Sequence, residues 1–270
     1  MTTANYEVYA VKYADRNART RADSFLDDPH HDVPHDMDYF VWVIKNDERT
    51  ILIDTGYDAK EGVLRNRPIL MNPADALAEI GINPQSISNC IITHLHYDHA
   101  GCLGSFENAN FHIQEREMAF ATGPCMCDPT IKAPFTADHI CTLVKRVYSG
   151  KVIFHDGDSE VAPGITVHRV GGHSLGLQVV RVMTAHGPLV LASDAAHYYE
   201  NFMDGKLFPL VVDKQEMQAG FKRLYELADN DANRIIPGHD PLVRQYFEQS
   251  FVGAKTDIHR LDRGPLKKFA

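Results

Sequence analysis

Short apolar runs separated by polar segments predict a chain built largely from strands. Residues 37–44 (MDYFVWVI) form a continuous run of strand-forming residues, which predicts a strand covered on both faces. Residues 50–54 follow a polar turn and complete a hairpin, while looser alternation predicts an earlier strand at residues 6–13. Shorter apolar runs predict further strands at residues 89–93, 111–114, 152–155, 165–170, 177–183, 189–192 and 234–237.

Helical spacing of apolar residues predicts four helices, at residues 73–80, 115–121, 138–148 and 214–228. In the last of these, Met217, Phe221 and Leu224 share one stripe, as expected of a helix that packs on a core. Strands precede helices in both halves of the chain, and no repeat or linker divides the halves. We therefore expect an α/β (α+β) fold of two packed sheets flanked by helices, with residues 1–250 as a single domain.

Three segments lack such periodicity. Residues 15–38 predict a polar N-terminal arm, residues 122–137 an irregular loop, and residues 251–270 a weakly ordered C-terminal tail. The arm contains His30, His31 and His35, for which a solvated loop is favoured over a third metal site, and it is a candidate contact in a homodimer. The loop contains Cys125 and Cys127, which are expected to be free thiols because no second pair has a useful spacing.

Composition narrows the classes of function. The 270 residues are 44% hydrophobic and 23% charged, which is typical of a globular protein. A net charge of −9 argues against nucleic acid or an anionic membrane as a partner. No apolar run approaches the ~18 residues of a membrane span, and the first ten residues lack the features of a signal peptide. An odd count of five cysteines argues against a disulfide framework and favours a cytoplasmic location.

The strongest chemical signal is T-H-L-H-Y-D-H-A-G at residues 93–101, directly after a predicted buried strand. His94 and His96 are two apart on an extended segment, so both can point toward one cation. Asp98 and His99 lie past the turn and can reach a second cation nearby. The alternative is a coincidental surface cluster in a chain with fifteen histidines, but four ligand-type residues in six positions favour a site.

Three more predicted strands end next to residues of the same chemistry, namely His173, Asp194 and His239. Taken singly, a strand-end aspartate is more often a turn or helix cap, and a strand-end histidine is more often simply exposed. Taken together, they supply a third ligand for each cation and a carboxylate that bridges the two.

This combination of HxHxDH, a glycine-flanked histidine, a strand-end aspartate and a late histidine resembles the metallo-β-lactamase superfamily over residues 39–240, and the D-T-G turn at residues 54–56 is similar to one in that family. The resemblance implies a four-layer αββα sandwich with the site at one edge of the two sheets. It implies two Zn²⁺ ions that share a hydroxide, although iron, manganese or cobalt suit the same ligands. The implied ligands are His94, His96 and His173 for the first ion, Asp98, His99 and His239 for the second, and Asp194 as the bridge.

Within the superfamily, the sequence resembles the N-acyl homoserine lactonase group in its length, its extended N-terminal region, H-L-H-x-D-H-A-G and its P-G-H-D ending. Zinc β-lactamases carry cysteine at the position of Asp194. Glyoxalase II enzymes add a C-terminal domain for which too few residues follow His239, and tRNA-processing nucleases need a basic surface. The resemblance therefore implies a small-molecule lactone as substrate, opened by attack of the shared hydroxide.

One position departs from the lactonase pattern. Those enzymes carry a tyrosine three residues after the bridging aspartate, where its hydroxyl meets the substrate carbonyl, and this chain carries His197 there. A histidine can also donate to a developing oxyanion, so His197 is a candidate catalytic residue, with a supporting or solvent-facing histidine as the alternative. The resemblance also implies that Asp98 passes a proton to the departing ring alkoxide.

The substrate pocket is the least constrained part of the prediction. Residues 25–37 and 122–135 are long enough to wall it, and its expected lining is Met37, Tyr198, Phe202 and Phe208, with core packing as the alternative. Two other functions stay open. One is hydrolysis of another ester or thioester at the same site, and the other is a non-catalytic metal-binding or ligand-sensing module, which the complete set of seven ligands disfavours.

Overall fold

The computed structural model of the chain describes residues 5–268, whose strands form two mixed sheets. The larger sheet contains β1 (Glu7–Arg16), β2 (Met37–Lys45), β3 (Thr50–Ile53), β4 (Asn89–Ile91), β5 (Asn110–Gln114), β6 (Val152–His155), β12 (Glu248–Ser250) and β13 (Ile258–Arg260). The smaller sheet contains β7 (Ser159–Ala162), β8 (Ile165–Arg169), β9 (Gln178–Thr184), β10 (Gly187–Ser193) and β11 (Ile235–Pro237). Their strand orders are β12-β13-β1-β2-β3-β4-β5-β6 and β11-β10-β9-β8-β7.

Helices cover the outer faces of both sheets. They are α1 (Arg21–Ser24), α2 (Ala59–Leu64), α3 (Pro73–Ala78), α4 (Glu115–Ala121), α5 (Ala137–Tyr148), α6 (Tyr199–Asp204), α7 (Lys214–Leu227) and α8 (Leu242–Tyr246). On the larger sheet, α3 contacts β1 and α5 contacts β6, whereas α7 contacts β10 of the smaller sheet. The layers therefore run helix, sheet, sheet, helix, and the predicted αββα architecture is confirmed.

The continuous apolar run of β2 is explained by burial on both faces. Trp42 belongs to the core between the sheets together with Leu191 of β10. Its neighbour Val43 belongs to a second core with Leu77 of α3 and Leu143 of α5. Because successive side chains of a strand point to opposite faces, the central residues 39–44 of β2, which lie between two apolar layers, are all apolar.

The prediction of a weakly ordered C-terminal tail has to be corrected. Strand β13 pairs antiparallel with β1, with Tyr9 opposite Arg260. Leu261 is fully buried and donates its backbone N–H to the carbonyl oxygen of Val8 at 2.8 Å. The expectation of a weakly ordered segment is therefore wrong at residues 258–261, because the partner that orders it lies some 250 positions earlier in the chain.

The N-terminal arm is shorter and more ordered than its polar sequence suggests, since β1 continues to Arg16 and β2 begins at Met37. Arg21 of α1 donates to Asp28 within the arm and to Glu200 of α6, both at 2.6 Å. The hydrogen bond from Arg21 lowers the pKa of Glu200 to about 2. The arm is thus fixed against the start of α6, next to the predicted site.

The helices and the cysteines of the structure bear on two expectations drawn from composition, namely no membrane span and no disulfide framework. Between residues 5 and 268, no helix combines the length and apolar character that crossing a bilayer requires. All five cysteines are free, including Cys125 and Cys127 as predicted.

Gly101 closes the turn that carries the histidine-rich segment, and the structure predicts that it tolerates no side chain. A Cβ atom there would lie 2.6 Å from the carbonyl oxygens of Gly56 and Tyr97. We expect Gly101→Ala to lower the free energy of unfolding by about 1–3 kcal/mol, measured by urea denaturation. The control is the exposed Gly104→Ala, where a Cβ meets nothing within 4 Å. Equal losses in the two variants would contradict the packing argument.

Candidate metal centre

All seven predicted ligand residues are buried and meet at one edge of the two sheets. The larger sheet supplies the segment after β4, and the smaller sheet supplies the residues after β8, β10 and β11. Their nitrogen and carboxylate atoms form two compact groups, in each of which the candidate ligand atoms lie within 4.8 Å of one another. The first group is His94, His96, His173 and Asp194, and the second is Asp98, His99 and His239.

Asp194 lies between the two groups. Its Oδ2 is 3.2 Å from Nε2 of His173 and 3.8 Å from Nε2 of His94. Its Oδ1 is 3.0 Å from Nε2 of His239 and 3.2 Å from Nε2 of His99. Each carboxylate oxygen thus faces the histidines of one group, which is the arrangement that a bridge between two cations requires.

Hydrogen bonds to the backbone orient two of the imidazoles. Nδ1 of His173 donates to the carbonyl oxygen of Leu210 at 2.7 Å, and Nδ1 of His239 donates to that of Asp38 at 2.8 Å. A carbonyl oxygen only accepts, so Nδ1 carries the proton in each neutral ring. Nε2 therefore presents a lone pair to the cluster, as a metal-binding histidine does.

Several atoms of the cluster have no partner in the protein. Nε2 of His94, Nε2 of His99 and Oδ1 of Asp194 are buried without a hydrogen bond. Buried polar atoms are nearly always paired, so three unpaired atoms that face one another call for a group that the protein does not supply. Imidazole and carboxylate donors of this kind suit a pair of divalent cations.

Electrostatics favours the protonation states that cations need at His94, His96 and Asp194, whereas at His99 the neighbouring carboxylates outweigh burial and raise the pKa well above its usual value, so a cation there would displace a proton. Burial, reinforced by the neighbouring histidines, lowers the pKa of His94 and His96 well below the usual range, so both rings are neutral. Burial alone would raise the pKa of Asp194, but His239 and His99 outweigh it and lower that pKa well below its ordinary value. The Asp194 carboxylate is therefore ionised.

Asp54 of the D-T-G turn stands behind this cluster. Its Oδ2 is 2.7 Å from Nδ1 of His99, and its Oδ1 accepts the backbone N–H of Thr93 at 2.7 Å. Asp54 has a φ of 59°, a left-handed conformation that Asp and Asn adopt more readily than other residues with a side chain. The turn after β3 therefore aims a carboxylate at the far side of a candidate ligand and fixes its ring.

Glu117 of α4 is a supporting residue that the sequence analysis missed. It is fully buried, and its carboxylate accepts from the backbone N–H of Leu95 and of Gly176, both at 2.9 Å, and from the hydroxyl of Ser174 at 2.5 Å. It thereby ties the histidine-rich segment to the loop that carries His173. Its position in the first turn of a short helix gives no signal of this role, because acidic residues are common there.

His197 contacts the cluster and is not solvent-facing. Its Nε2 lies 2.9 Å from Oδ2 of Asp194, and its ring stacks on Phe208 with centroids 3.8 Å apart. Burial lowers its pKa to about 3, so the ring is neutral. A carboxylate only accepts, so Nε2 carries the proton and is a donor at the edge of the cluster.

A cavity of about 300 Å³ opens onto the cluster and is reached by Asp98, Asp194 and His197. Met37 and Phe208, two of the four residues expected in the substrate pocket, line this cavity. Ala133 and Pro134, from the loop that was expected to wall the pocket, line it as well.

Tyr198 and Phe202 were also expected to line the substrate pocket, and this expectation is corrected because neither residue lines the cavity. The hydroxyl of Tyr198 instead accepts from Arg19 at 2.6 Å and donates to the carbonyl oxygen of Asp36 at 3.1 Å, which fastens the arm. Phe202 packs in the core between the sheets and α7. His197, the neighbour of Tyr198, reaches the cavity, whereas no residue of α6 lines it.

The arm histidines do not converge. His30 and His31 are exposed, and Nδ1 of His35 lies 2.9 Å from the hydroxyl of Ser24. The cavity walls instead carry four arginines that the sequence analysis did not single out, Arg16, Arg19, Arg65 and Arg67.

Comparison with known proteins agrees with this geometry. A model of the metallo-beta-lactamase superfamily matches residues 37–239. An N-acyl homoserine lactonase from Bacillus cereus is 30% identical over 217 residues, which cover 74% of this chain and 81% of that protein. The solved structure of a quorum-quenching N-acyl homoserine lactone lactonase has a TM-score of 0.72 at 23% identity and covers 89% of this chain and 94% of its own. A probable metal-dependent hydrolase from Staphylococcus aureus has a TM-score of 0.73 at 18% identity and covers 100% of both chains. The chain therefore belongs to the metallo-beta-lactamase superfamily.

Proposed function

We propose that the protein is a dinuclear metal-dependent hydrolase that opens a lactone ring. The observation that carries the proposal is the position of Asp194, with one carboxylate oxygen toward each group of histidines at the floor of a cavity. The names of the lactonase relatives support the choice of a lactone. A cavity of about 300 Å³ is at the small end of the range for ligand sites and suits a compact substrate.

In this proposal the two groups of residues hold one cation each. The first is held by His94, His96 and His173, the second by Asp98, His99 and His239, and both by Asp194. When bound, two such cations lower the pKa of a water molecule and polarise the ester carbonyl. Zinc is the expected metal, and iron, manganese or cobalt are alternatives that the same donors accept.

Asp98 is placed to move the proton. Its Oδ2 lies 3.9 Å from Nε2 of both His99 and His239, and the carboxylate also lines the cavity. The hydroxyl of Tyr13 donates to the backbone carbonyl of Asp98 at 2.8 Å and fixes the turn. As water adds to the carbonyl carbon and the ring C–O bond breaks, Asp98 takes the proton of the water and returns it to the ring oxygen, which leaves a hydroxy acid.

We assign His197 the role of donor to the substrate. Its Nε2–H contacts Oδ2 of Asp194 at 2.9 Å and borders the cavity, so in the reaction it would turn from Asp194 to the carbonyl oxygen of a substrate, which gains negative charge there. A preorganised donor at that point stabilises the oxyanion more than the ground-state carbonyl. Phe208, stacked on the ring, limits its rotation.

The first prediction concerns the reaction itself. The purified, metal-loaded protein should release protons from a panel of lactones that includes acyl-homoserine lactones of several chain lengths, simple γ- and δ-lactones and aromatic lactones. Chelation should abolish the release, and added metal should restore it. An acyl thioester is the control substrate. If the thioester reacts and no lactone does, the lactone assignment is wrong and a thioesterase on the same residues is favoured.

The second prediction concerns Asp54. Asp54→Asn keeps a residue that tolerates the left-handed backbone but weakens the hold on His99, so metal affinity should fall by about 10- to 100-fold. The measurement is competition with a chromophoric chelator. Asp47→Asn, in the exposed turn between β2 and β3, makes the same chemical change away from the cluster and should leave affinity unchanged. Equal affinities in the two variants would remove Asp54 from the supporting role.

The third prediction concerns His197. His197→Phe removes the donor but keeps an aromatic ring against Phe208, so kcat should fall by about tenfold or more even when the protein is saturated with metal. His197→Tyr restores a donor and should recover part of the lost kcat. Steady-state kinetics together with metal analysis checks both statements. A phenylalanine variant with the kcat of the parent protein would show that His197 only packs.

A further inference from the structure

The walls of the cavity are unusually basic for an acidic protein. Four arginines line them, and we call these the arginine cluster: Arg16, Arg19, Arg65 and Arg67. The chain as a whole carries a net charge of −9. Positive charge is therefore concentrated at the entrance to the candidate metal centre, where it acts on whatever enters.

Arg19 is the most informative member, because it is buried without an acidic partner. It is 6% exposed, and its Nη atoms donate to the hydroxyl of Tyr198 and to the backbone carbonyl of Asp23. Its Nε has no hydrogen-bond partner. Buried guanidinium groups are normally paired with a carboxylate, so this one is held in place by neutral oxygens with its charge uncompensated.

Arg16 and Arg67 are only partly buried, but they too lack an acidic partner, since within residues 5–268 no carboxylate lies at ion-pair distance from either side chain. Arg67 is partly buried, donates to the hydroxyl of Tyr97 and lies 5.2 Å from the centre of that ring. The hydroxyl of Tyr97 is 3.4 Å from that of Tyr39, whose ring packs on His239. A chain of aromatic residues thus fixes Arg67 relative to the candidate metal centre.

Arg65 differs from the other three. It pairs with Glu61 at 2.5 Å and donates to Thr136 and to the backbone carbonyl of Ala133. Its charge is therefore already matched, and its role is to hold the cavity wall. The contrast matters, because it shows that arginines in this region find acidic partners where the fold provides them.

The acidic residues of the cavity do not compensate the cluster. Asp23 accepts a hydrogen bond from the backbone N–H of Thr20. The other two, Asp98 and Asp194, face the histidines of the candidate metal centre. Among the residues that the structure describes, no carboxylate is therefore ion-paired with Arg16, Arg19 or Arg67, and Asp98 acts on Arg67 only at longer range.

We propose that the substrate of this hydrolase carries a carboxylate remote from the ester carbonyl, and that Arg16, Arg19 and Arg67 bind it while the lactone ring lies at the metal centre. This inference rests on the proposed function for the reaction that follows binding. A planar guanidinium matches a carboxylate with two parallel hydrogen bonds. A neutral substrate of the same shape would shield these charges from water without pairing them.

The kinetic test compares two substrates that differ only in charge, a γ-butyrolactone whose side chain ends in a carboxylate and its primary carboxamide. The parent protein should turn over the acid with a kcat/KM about tenfold or more above that of the amide, since the hydrogen bonds are charge-assisted. The preference should shrink as salt rises. An acid hydrolysed no faster than the amide would overturn the inference and leave the lactonase proposal intact.

Single substitutions in the arginine cluster test which side chains produce the preference for the acid over the amide. Arg67→Gln and Arg16→Gln should each bring the ratio of the two kcat/KM values toward one. Arg19→Gln should do the same, and the other two variants keep the test informative if burial of Arg19 makes that variant unfold. Arg146→Gln is the matched control, since Arg146 lies on α5, donates to the carbonyl oxygen of Glu107 and does not line the cavity. A ratio unchanged in all three cluster variants would assign the arginines to the fold alone.

A binding measurement separates this inference from the proposed reaction. Adipate and its monoamide both offer one carboxylate to the metal centre, but only adipate offers a second to the arginine cluster. Calorimetry on the metal-loaded protein should show adipate binding about tenfold or more tightly, and Arg67→Gln should remove the difference. If adipate binds more tightly than its monoamide but no lactone is hydrolysed, the proposed reaction is wrong and the proposed anion site is supported. Equal affinities would contradict the anion site whatever the reaction.

Discussion

Asp194 is 3% exposed and its side chain is ionised, so the surrounding structure has to compensate that charge. Water cannot do so at this depth, and an uncompensated buried carboxylate would be protonated instead. A neutral imidazole that presents a lone pair does not compensate this charge, so cations held by the surrounding histidines would have to, and they can be held only if each ring turns a nitrogen inward. The hydrogen bonds of His99 to Asp54 and of His239 to a backbone carbonyl enforce that orientation. The hydrogen bonds that orient the histidines are therefore needed because of the negative charge of Asp194 at the centre of the cluster.

The same requirement explains the surroundings of the histidine-rich turn. Glu117 fixes two loops from different sheets through three hydrogen bonds, so the rings of His96 and His173 are held 2.8 Å apart, nitrogen to nitrogen. Gly101 permits the close approach of backbone that brings this turn beside Asp54. These residues touch no substrate, but the geometry of the donors depends on them.

The sequence predicted the fold and the meeting of the ligand-type residues because both rest on local signals. Strands have a short period, and His94 to His99 are neighbours in the chain. Asp194 and His239 could be predicted to join them because residues at strand ends collect at one edge of a sheet. The cavity was harder. Met37 and Phe208 line it and Phe202 does not, a difference set by the path of α6. Arg19 and Arg67 come from aperiodic segments whose course depends on Tyr198 and Tyr97, so no spacing rule reveals that they share a wall.

The candidate ligands come from both sheets, four from the segment after β4 and three from the strand ends of the smaller sheet. Cations held between them would therefore fasten one sheet to the other without a covalent bond. By mass action, anything that binds only the folded chain adds to its stability in proportion to the logarithm of its free concentration. The stability of the folded protein would then depend on the metal supply of its surroundings, and a shortage of metal would lower the amount of folded protein as well as the metal content of its site.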